Sequence, residues 1–285
     1  MKKQQGLWPL HMAVLLFGLS GLFGKVICQH SLVITWGRVV FSALSLRIWL
    51  KIQKENPRSV PGRTKAALAA LGVLLAFHWS TFYQAIQVST VAMGLISFSA
   101  FPIFVTFLEP LFTGEKPRGR DVALAFVAFG GILLATPLEG GGTLWLGALW
   151  GLLSGFSYAL LGLFNQKWVG SLPAAMVSFW EQLWAAVILT PCLLWLRPVL
   201  HLSDWGGLLL LGVVFTALSH TLFIGSLRTI RAQTASVVSC LEPVYGILLA
   251  ALFLGEIPSL REVLGGAVVF ACAIWGRQRP QLLPA

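Results

Sequence analysis

Long apolar runs separated by short polar connections make up most of this 285-residue chain. Crossing about 30 Å of hydrocarbon takes about 20 apolar residues in a helix. Ten runs reach about this length, and each predicts a membrane-spanning helix. The predicted spans are 8–26, 32–50, 66–85, 88–113, 119–137, 144–164, 173–196, 205–227, 233–254 and 259–276.

The second half of the chain repeats part of the first. Gly-Glu-Lys-Pro at 114–117 returns 141 positions later as Gly-Glu-Ile-Pro at 255–258, and Pro102 aligns with Pro243 at the same offset. Because each half holds five predicted spans, the second half enters the membrane in the opposite direction. The sequence therefore predicts an all-α membrane protein with ten transmembrane helices in two inverted five-helix repeats.

The two repeats are expected to meet at a short polar segment. Residues 138–143, Leu-Glu-Gly-Gly-Gly-Thr, lie between the fifth and sixth spans and form the predicted linker. The first five-helix repeat then covers 8–137 and the second covers 144–277.

Charged residues are scarce and unevenly placed. They make up 11% of the sequence, against about 25% in soluble domains, and the mean hydropathy is +0.82. With the N-terminus inside, sixteen Lys and Arg residues fall on the cytoplasmic side and three, Lys25, Arg197 and Arg261, on the outer side. Basic residues stay cytoplasmic, so both termini are expected there. The net charge of +10 is then explained by topology, and no nucleic-acid partner is expected.

The motifs of metal and nucleotide sites are missing from the sequence. Cys28, Cys192, Cys240 and Cys272 lie in or beside spans and lack zinc-site spacing. The glycines of the first span follow no strand, so they do not form a phosphate-binding loop. No cofactor is expected, and a gradient, for example of protons, is expected to supply any energy for transport.

Apart from Glu109 and others near span ends, which can reach water, five ionisable residues lie deeper within spans, where a charge costs about 2.5 to 3.5 kcal/mol. Arg38 and Glu181 occupy nearly corresponding positions in spans two and seven, and His78 and His220 in spans three and eight. Counted from the span ends, Glu181, His220 and Glu242 lie roughly 10 to 14 Å from one boundary. We expect these residues to share a cavity and to bind substrate or couple transport. Structural pairing remains the alternative, most of all for the histidines.

Glu242-Pro243 is the most specific candidate among these residues. A proline within a helix permits a bend, and a carboxylate beside it can accept a proton or a cationic group. The repeat has Phe101-Pro102 at this position, so the acid occurs in one half only. We predict hinges at Pro102 and Pro243.

Aromatic residues lie on the helices expected to line the cavity, where they can stack on a flat or cationic substrate. Packing is the alternative role for each of them. The candidates are Trp36, Trp79, Phe82, Tyr83, Phe98, Tyr158, Trp180 and Tyr245.

The chain resembles the drug/metabolite transporter superfamily in its EamA-domain branch. The resemblance is carried by the doubled Gly-Glu-x-Pro, by Phe-Gly-Leu-Ser at 17–20 and by Lys25 near the end of the first helix. The chain departs from the family pattern at Phe17, where many relatives have Trp. Each half resembles one EamA domain. The resemblance implies a bacterial inner-membrane exporter that works by alternating access, with spans one to four and six to nine around the cavity and spans five and ten at the periphery.

The favoured function is export of amino acids or similar small amphipathic metabolites. A broad organic-cation or drug exporter is the alternative within transport. A membrane-embedded enzyme is disfavoured, because no His-x-x-x-His pair, metal cluster or convincing catalytic triad is present. The expected partners are a small-molecule substrate, the lipid bilayer and, as a possible coupling ion, the proton.

Overall fold

The computed structural model describes residues 2–113, 119–136, 142–168, 171–230, 235, 238–239 and 241–276. The first Gly-Glu-x-Pro copy, most of the predicted linker and Cys240 lie outside these residues.

Helices account for nearly all of the described residues, which confirms the all-α prediction. A 3₁₀ turn at Pro57–Ser59 follows α2, and a π-helical segment, Val213–Leu218, joins α9 to α10. The α-helices are α1 Lys2–Val26, α2 Ser31–Ile52, α3 Gly62–Val88, α4 Val91–Phe98, α5 Phe101–Thr113, α6 Gly119–Ala135, α7 Thr143–Trp168, α8 Ala174–Leu196, α9 Leu202–Gly212, α10 Ser219–Ser226, α11 Leu241–Leu254 and α12 Leu260–Gly276.

The described residues include seven helical stretches long and apolar enough to cross a membrane. In this count α4 with α5 forms one stretch, and α9 with α10 forms another. Two shorter apolar helices, Val122–Ala135 and Leu241–Leu254, lie in predicted spans five and nine. The chain is therefore a multi-pass membrane protein, while the count of ten spans stays a prediction.

The fourth predicted span is divided into two helices. α4 ends at Phe98 and α5 begins at Phe101, with Pro102 in its first turn. Proline fits the first turn of a helix because an amide there has no intrahelical acceptor. Pro243, its partner in the repeat, is the third residue of α11. Pro102 therefore lies at the beginning of a helix, whereas residues 238–239, ahead of α11, are helical as well.

Helix packing follows the sequence repeat. α3 packs against α7, and its counterpart α10 packs against α1; α4 packs against α7, and α11 packs against α1. α2 and α8, which correspond to each other, also pack together. Such reciprocal pairs are expected when two related halves surround a pseudo-two-fold axis. α6 and α12, the predicted peripheral helices, pack chiefly on each other.

Candidate functional site

A small cavity lies between the two halves. Helices α1 to α4 of the first half and α7, α10 and α11 of the second half contribute its wall. Its volume of about 20 Å³ is close to the space that one water molecule needs. A small organic molecule therefore requires the helices to separate. The lining residues are Phe17, Ser20, Arg38, Leu75, His78, Trp79, Phe82, Phe98, Tyr158, His220 and Glu242.

Arg38 of α2 projects into this cavity and is only 1% exposed. Its Nη1 donates to Tyr83 Oη at 2.9 Å, and its Nε donates to Thr216 Oγ1 at 3.0 Å. The guanidinium carbon lies 3.8 Å from the centre of the Trp79 ring, within the range of a cation–π contact. Hydrogen bonds and an aromatic face therefore compensate part of the cost of burying this cation.

The π-helical segment supplies part of the Arg38 site. Thr216 Oγ1 donates to the Leu211 carbonyl, five residues earlier, at 2.8 Å, and the Phe215 carbonyl accepts from Arg38 Nη2 at 3.4 Å. π-helical turns occur often at functional sites because they free backbone groups from the regular ladder. No sequence pattern predicts this segment, since its residues also suit a regular apolar helix.

Glu242 lies on the wall of the same cavity and is 4% exposed. The cavity thus holds an acidic side chain from α11 and a basic side chain from α2, each from a different half. Buried charges are retained where they are paired or serve a function. The shared cavity predicted from the sequence therefore exists in the structure for Arg38 and Glu242.

His78 is another lining residue of the cavity and contacts helix α7. Its Nδ1 lies 2.9 Å from Ser154 Oγ, and its ring stacks on Tyr158 with centroids 4.9 Å apart. This contact is the interhelical hydrogen bond considered as the alternative for the histidines. Because His78 also lines the cavity, its position suits both roles.

Glu181 pairs with His220 rather than with Arg38. Glu181 Oε2 and His220 Nε2 are 2.9 Å apart and both side chains are buried. The His220 ring lies 5.5 Å from the Trp79 ring, which in turn lies against Arg38. A direct Arg38–Glu181 pair does not occur among the hydrogen bonds and ion pairs of the described residues. Counting from span ends estimates depth, but it does not show which way a side chain faces.

Four predicted aromatic residues lie outside the cavity wall, and one of them, Tyr83, still contacts Arg38. Trp36 Nε1 donates to Thr190 Oγ1 between α2 and α8, at 3.2 Å. The Trp180 ring lies 5.2 Å from Lys65 Nζ, and Tyr245 packs on α1 beside Gly18. These contacts correspond to the packing alternative.

The predicted hinge Pro243 borders a separate, apolar pocket. This pocket has a volume of about 390 Å³ and lies between α4, α11 and α12. Ser99, at the break between α4 and α5, lies on its wall as well. Glu242 and Pro243 therefore line two different spaces.

These features define a multi-pass helical membrane protein with a charged, aromatic-walled cavity between two halves. The EamA-like transporter family matches residues 5–136 and 145–275. The chain therefore belongs to this family, whose domain it contains twice.

Several curated proteins are similar over most of their length. An uncharacterized transporter, YxxF, of Bacillus subtilis is 23% identical over 95% of this chain and 88% of its own. An uncharacterized transporter of Archaeoglobus fulgidus is 26% identical over 91% and 92%. The uncharacterized inner membrane transporter YicL of Salmonella typhimurium is 23% identical over 95% and 94%. A protein crystal structure aligns with a TM-score of 0.72 and 16% identity over 96% of both chains, which shows the fold.

Proposed function

We propose that this protein is a secondary transporter that exports amino acids or similar small zwitterionic metabolites. The observation that carries the proposal is that Arg38 and Glu242 line one cavity between the halves. An arginine fork suits a carboxylate, and a carboxylate suits an ammonium group. A zwitterion offers both groups, so its binding would leave neither buried side chain without an opposite charge.

The walls of the cavity favour a ligand with an apolar part. Trp79, Phe82, Phe98 and Tyr158 surround the two charges. Aromatic faces bind apolar groups and also attract cations. An amphipathic amino acid fits this environment better than a bare inorganic ion.

Transport would proceed by alternating access about the axis between the halves. The described cavity is too small for an amino acid, as expected of a closed state. The repeats would cover 8–137 and 144–277 with a linker at 138–143, and Pro102 and Pro243 would let the adjoining helices bend.

We place the protein in a bacterial inner membrane with both termini in the cytoplasm. The excess of Lys and Arg on one side supports this orientation. The relative YicL, which is named an inner membrane transporter, supports the location.

A broad organic-cation exporter is the second candidate. Glu242 and the aromatic wall support it, since a carboxylate and aromatic faces both attract cations. Arg38 argues against it, because a second cation in the same small cavity would be repelled. In either case the protein acts as a carrier rather than as an enzyme.

Coupling to protons would involve two carboxylates. Glu242 lines the cavity, and Glu181 lies behind His220 with its Oε1 lacking a hydrogen-bond partner among the described residues. The Glu242 carboxylate, which faces the cavity, can hold a proton when substrate is absent. We propose that Glu242 exchanges this proton for the substrate ammonium group.

A ligand screen of the purified protein tests the proposed substrate class. Amino acids at about ten times their Kd are expected to raise the melting temperature by about 3 °C, whereas sugars leave it unchanged. Arg38→Gln is expected to remove the shift, and Arg47→Gln, at an exposed position of the same helix, to retain it. A shift produced by amines without a carboxylate, and retained in Arg38→Gln, would favour the organic-cation alternative instead.

A further inference from the structure

A polar cluster joins several helices at one end of the bundle. Lys25, in the last turn of α1, donates from Nζ to the Ser89 carbonyl at 2.7 Å and lies 3.8 Å from Glu256 Oε1. The other carboxylate oxygen of Glu256 accepts from the backbone amide of Val91 at 2.9 Å. Glu256 therefore connects α1 to the first turn of α4.

The cluster continues to the beginning of α12. Thr90 Oγ1 donates to Glu262 Oε1 at 2.9 Å, while Glu262 Oε2 accepts from the Ser259 amide at 2.8 Å. Ser259 and Glu262 together form a capping box at the beginning of α12. The residues of this cluster, called the Lys25 cluster below, are Lys25, Ser89, Thr90, Val91, Glu256, Ser259 and Glu262.

The geometry of Glu256 corrects one sequence-based interpretation. The pattern Gly-Glu-x-Pro at 255–258 is typical of a helix end whose Glu accepts amides of the next helix, here α12. In the structure Glu256 accepts from α4 instead, and Glu262 caps α12. Gly255, with φ of 69°, turns the chain after α11, a conformation that glycine adopts readily.

An apolar layer separates the cluster from the cavity. Ile86 of α3 and Leu95 of α4 are fully buried there. A Cβ on Gly24 of α1 would lie 3.0 Å from Ile86, and one on Gly246 of α11 would collide with Leu95. The glycines thus let α1 and α11 press onto these two side chains. A solute coming from this end would have to pass both layers.

We propose that the Lys25 cluster is the gate that closes this end of the transport path. α1, α4 and α11 each contribute to the cavity wall, through Ser20, Phe98 and Glu242, and the cluster ties the ends of these same helices together. Along α1 the distance from Ser20 to Lys25 is about 7.5 Å. Breaking the cluster lets the helix ends move apart and exposes the cavity from this side.

The proposal rests on the proposed transport function, but the two can be tested separately. Helix capping alone would explain Ser259 and Glu262. It would not explain the contact between Lys25 and Glu256. Lys25 belongs to the first half and Glu256 to the second, and together they join α1 to α4. A gate must be broken reversibly, and an ion pair between two partly exposed side chains meets this need because water can replace it.

Chemical labelling measures the gate without measuring transport. Cys28 is exposed just after α1. A variant that keeps Cys28 as its single cysteine shows from which side of the membrane this end of the bundle is labelled. The proposed orientation places Cys28 outside. Ser20→Cys, in a form whose native cysteines are replaced by serine, then reports access to the cavity from that side. An impermeant thiol reagent is expected to label it slowly, and about tenfold faster in Lys25→Met or Glu256→Ala.

Two further variants separate gating from damage to the fold. Arg261→Met removes a charge from an exposed position at the same end and is expected to leave labelling slow. Lys25→Arg keeps a cationic donor and, unlike Lys25→Met, is expected to label as slowly as the protein with Lys25. Equal labelling of the cavity cysteine in all variants would overturn the gate, as would a faster rate in Arg261→Met. Faster labelling in the cluster variants of a protein that transports nothing would support the gate and refute the proposed function.

Discussion

Arg38→Gln is expected to reduce transport at least about 100-fold. Arg38 is the buried cation on the cavity wall, and the proposal assigns it to the substrate carboxylate. Glutamine can still donate to Tyr83 or Thr216, but it cannot balance Glu242 or bind a carboxylate through two charged hydrogen bonds. Truncating one partner of a buried charge pair costs about 2 to 5 kcal/mol, and each 1.4 kcal/mol is tenfold. Initial uptake rates in liposomes measure the effect.

Two control variants make this result interpretable. Arg38→Lys keeps the charge but loses the planar fork, so an intermediate rate is expected. Arg47→Gln removes an exposed charge from the same helix and should transport at the wild-type rate. Wild-type transport by Arg38→Gln, with normal protein levels, would show that Arg38 only holds α2 against Tyr83 and Thr216.

Glu242→Gln is expected to abolish proton-driven transport while equilibrium binding weakens much less. Glutamine keeps the shape of the side chain but cannot take up and release a proton. In the wild type, an imposed pH gradient should drive substrate accumulation. In the variant, the gradient should have no effect, and accumulation should fall at least about tenfold. Uptake with and without the gradient, alongside the melting-temperature shift by the same substrate, measures both quantities.

The matched control is Glu55→Gln, an exposed acid in the connection after α2, which should behave as wild type. If Glu242→Gln retains full accumulation with an unchanged dependence on pH, Glu242 is a structural acid beside Pro243. Proton coupling would then have to be sought at the Glu181–His220 pair, because Glu181 is also a buried acid and contacts a cavity residue.

The sequence predicts the fold well because the bilayer imposes simple rules. Long apolar runs must form helices, since every backbone amide and carbonyl needs a partner within the membrane. The repeat then indicates two related halves, and the family match to both halves agrees with it. Local departures from regular helices are harder to predict. The break before Pro102 and the π-helical segment at 213–218 depend on packing between helices that are far apart in sequence.

The candidate site is predicted in part for a similar reason. Ionisable residues within spans are conspicuous, and Arg38, His78, His220 and Glu242 do lie around one cavity. Their partners are ordinary residues whose roles depend on helix rotation. Ser154 contacts His78, and nothing in a serine of an apolar helix indicates this contact. Trp36 is a conspicuous residue on the expected helix, α2, but its indole contacts α8 instead of the cavity.

Uptake of a zwitterionic amino acid into liposomes that contain only this purified protein tests the central claim most directly. The account predicts saturable uptake, driven by a pH gradient, that is lost in Arg38→Gln and keeps its wild-type rate in Arg47→Gln. The account would be contradicted if liposomes with correctly folded protein took up no zwitterionic amino acid. It would also be contradicted if the Arg38→Gln variant took up as much as the wild type.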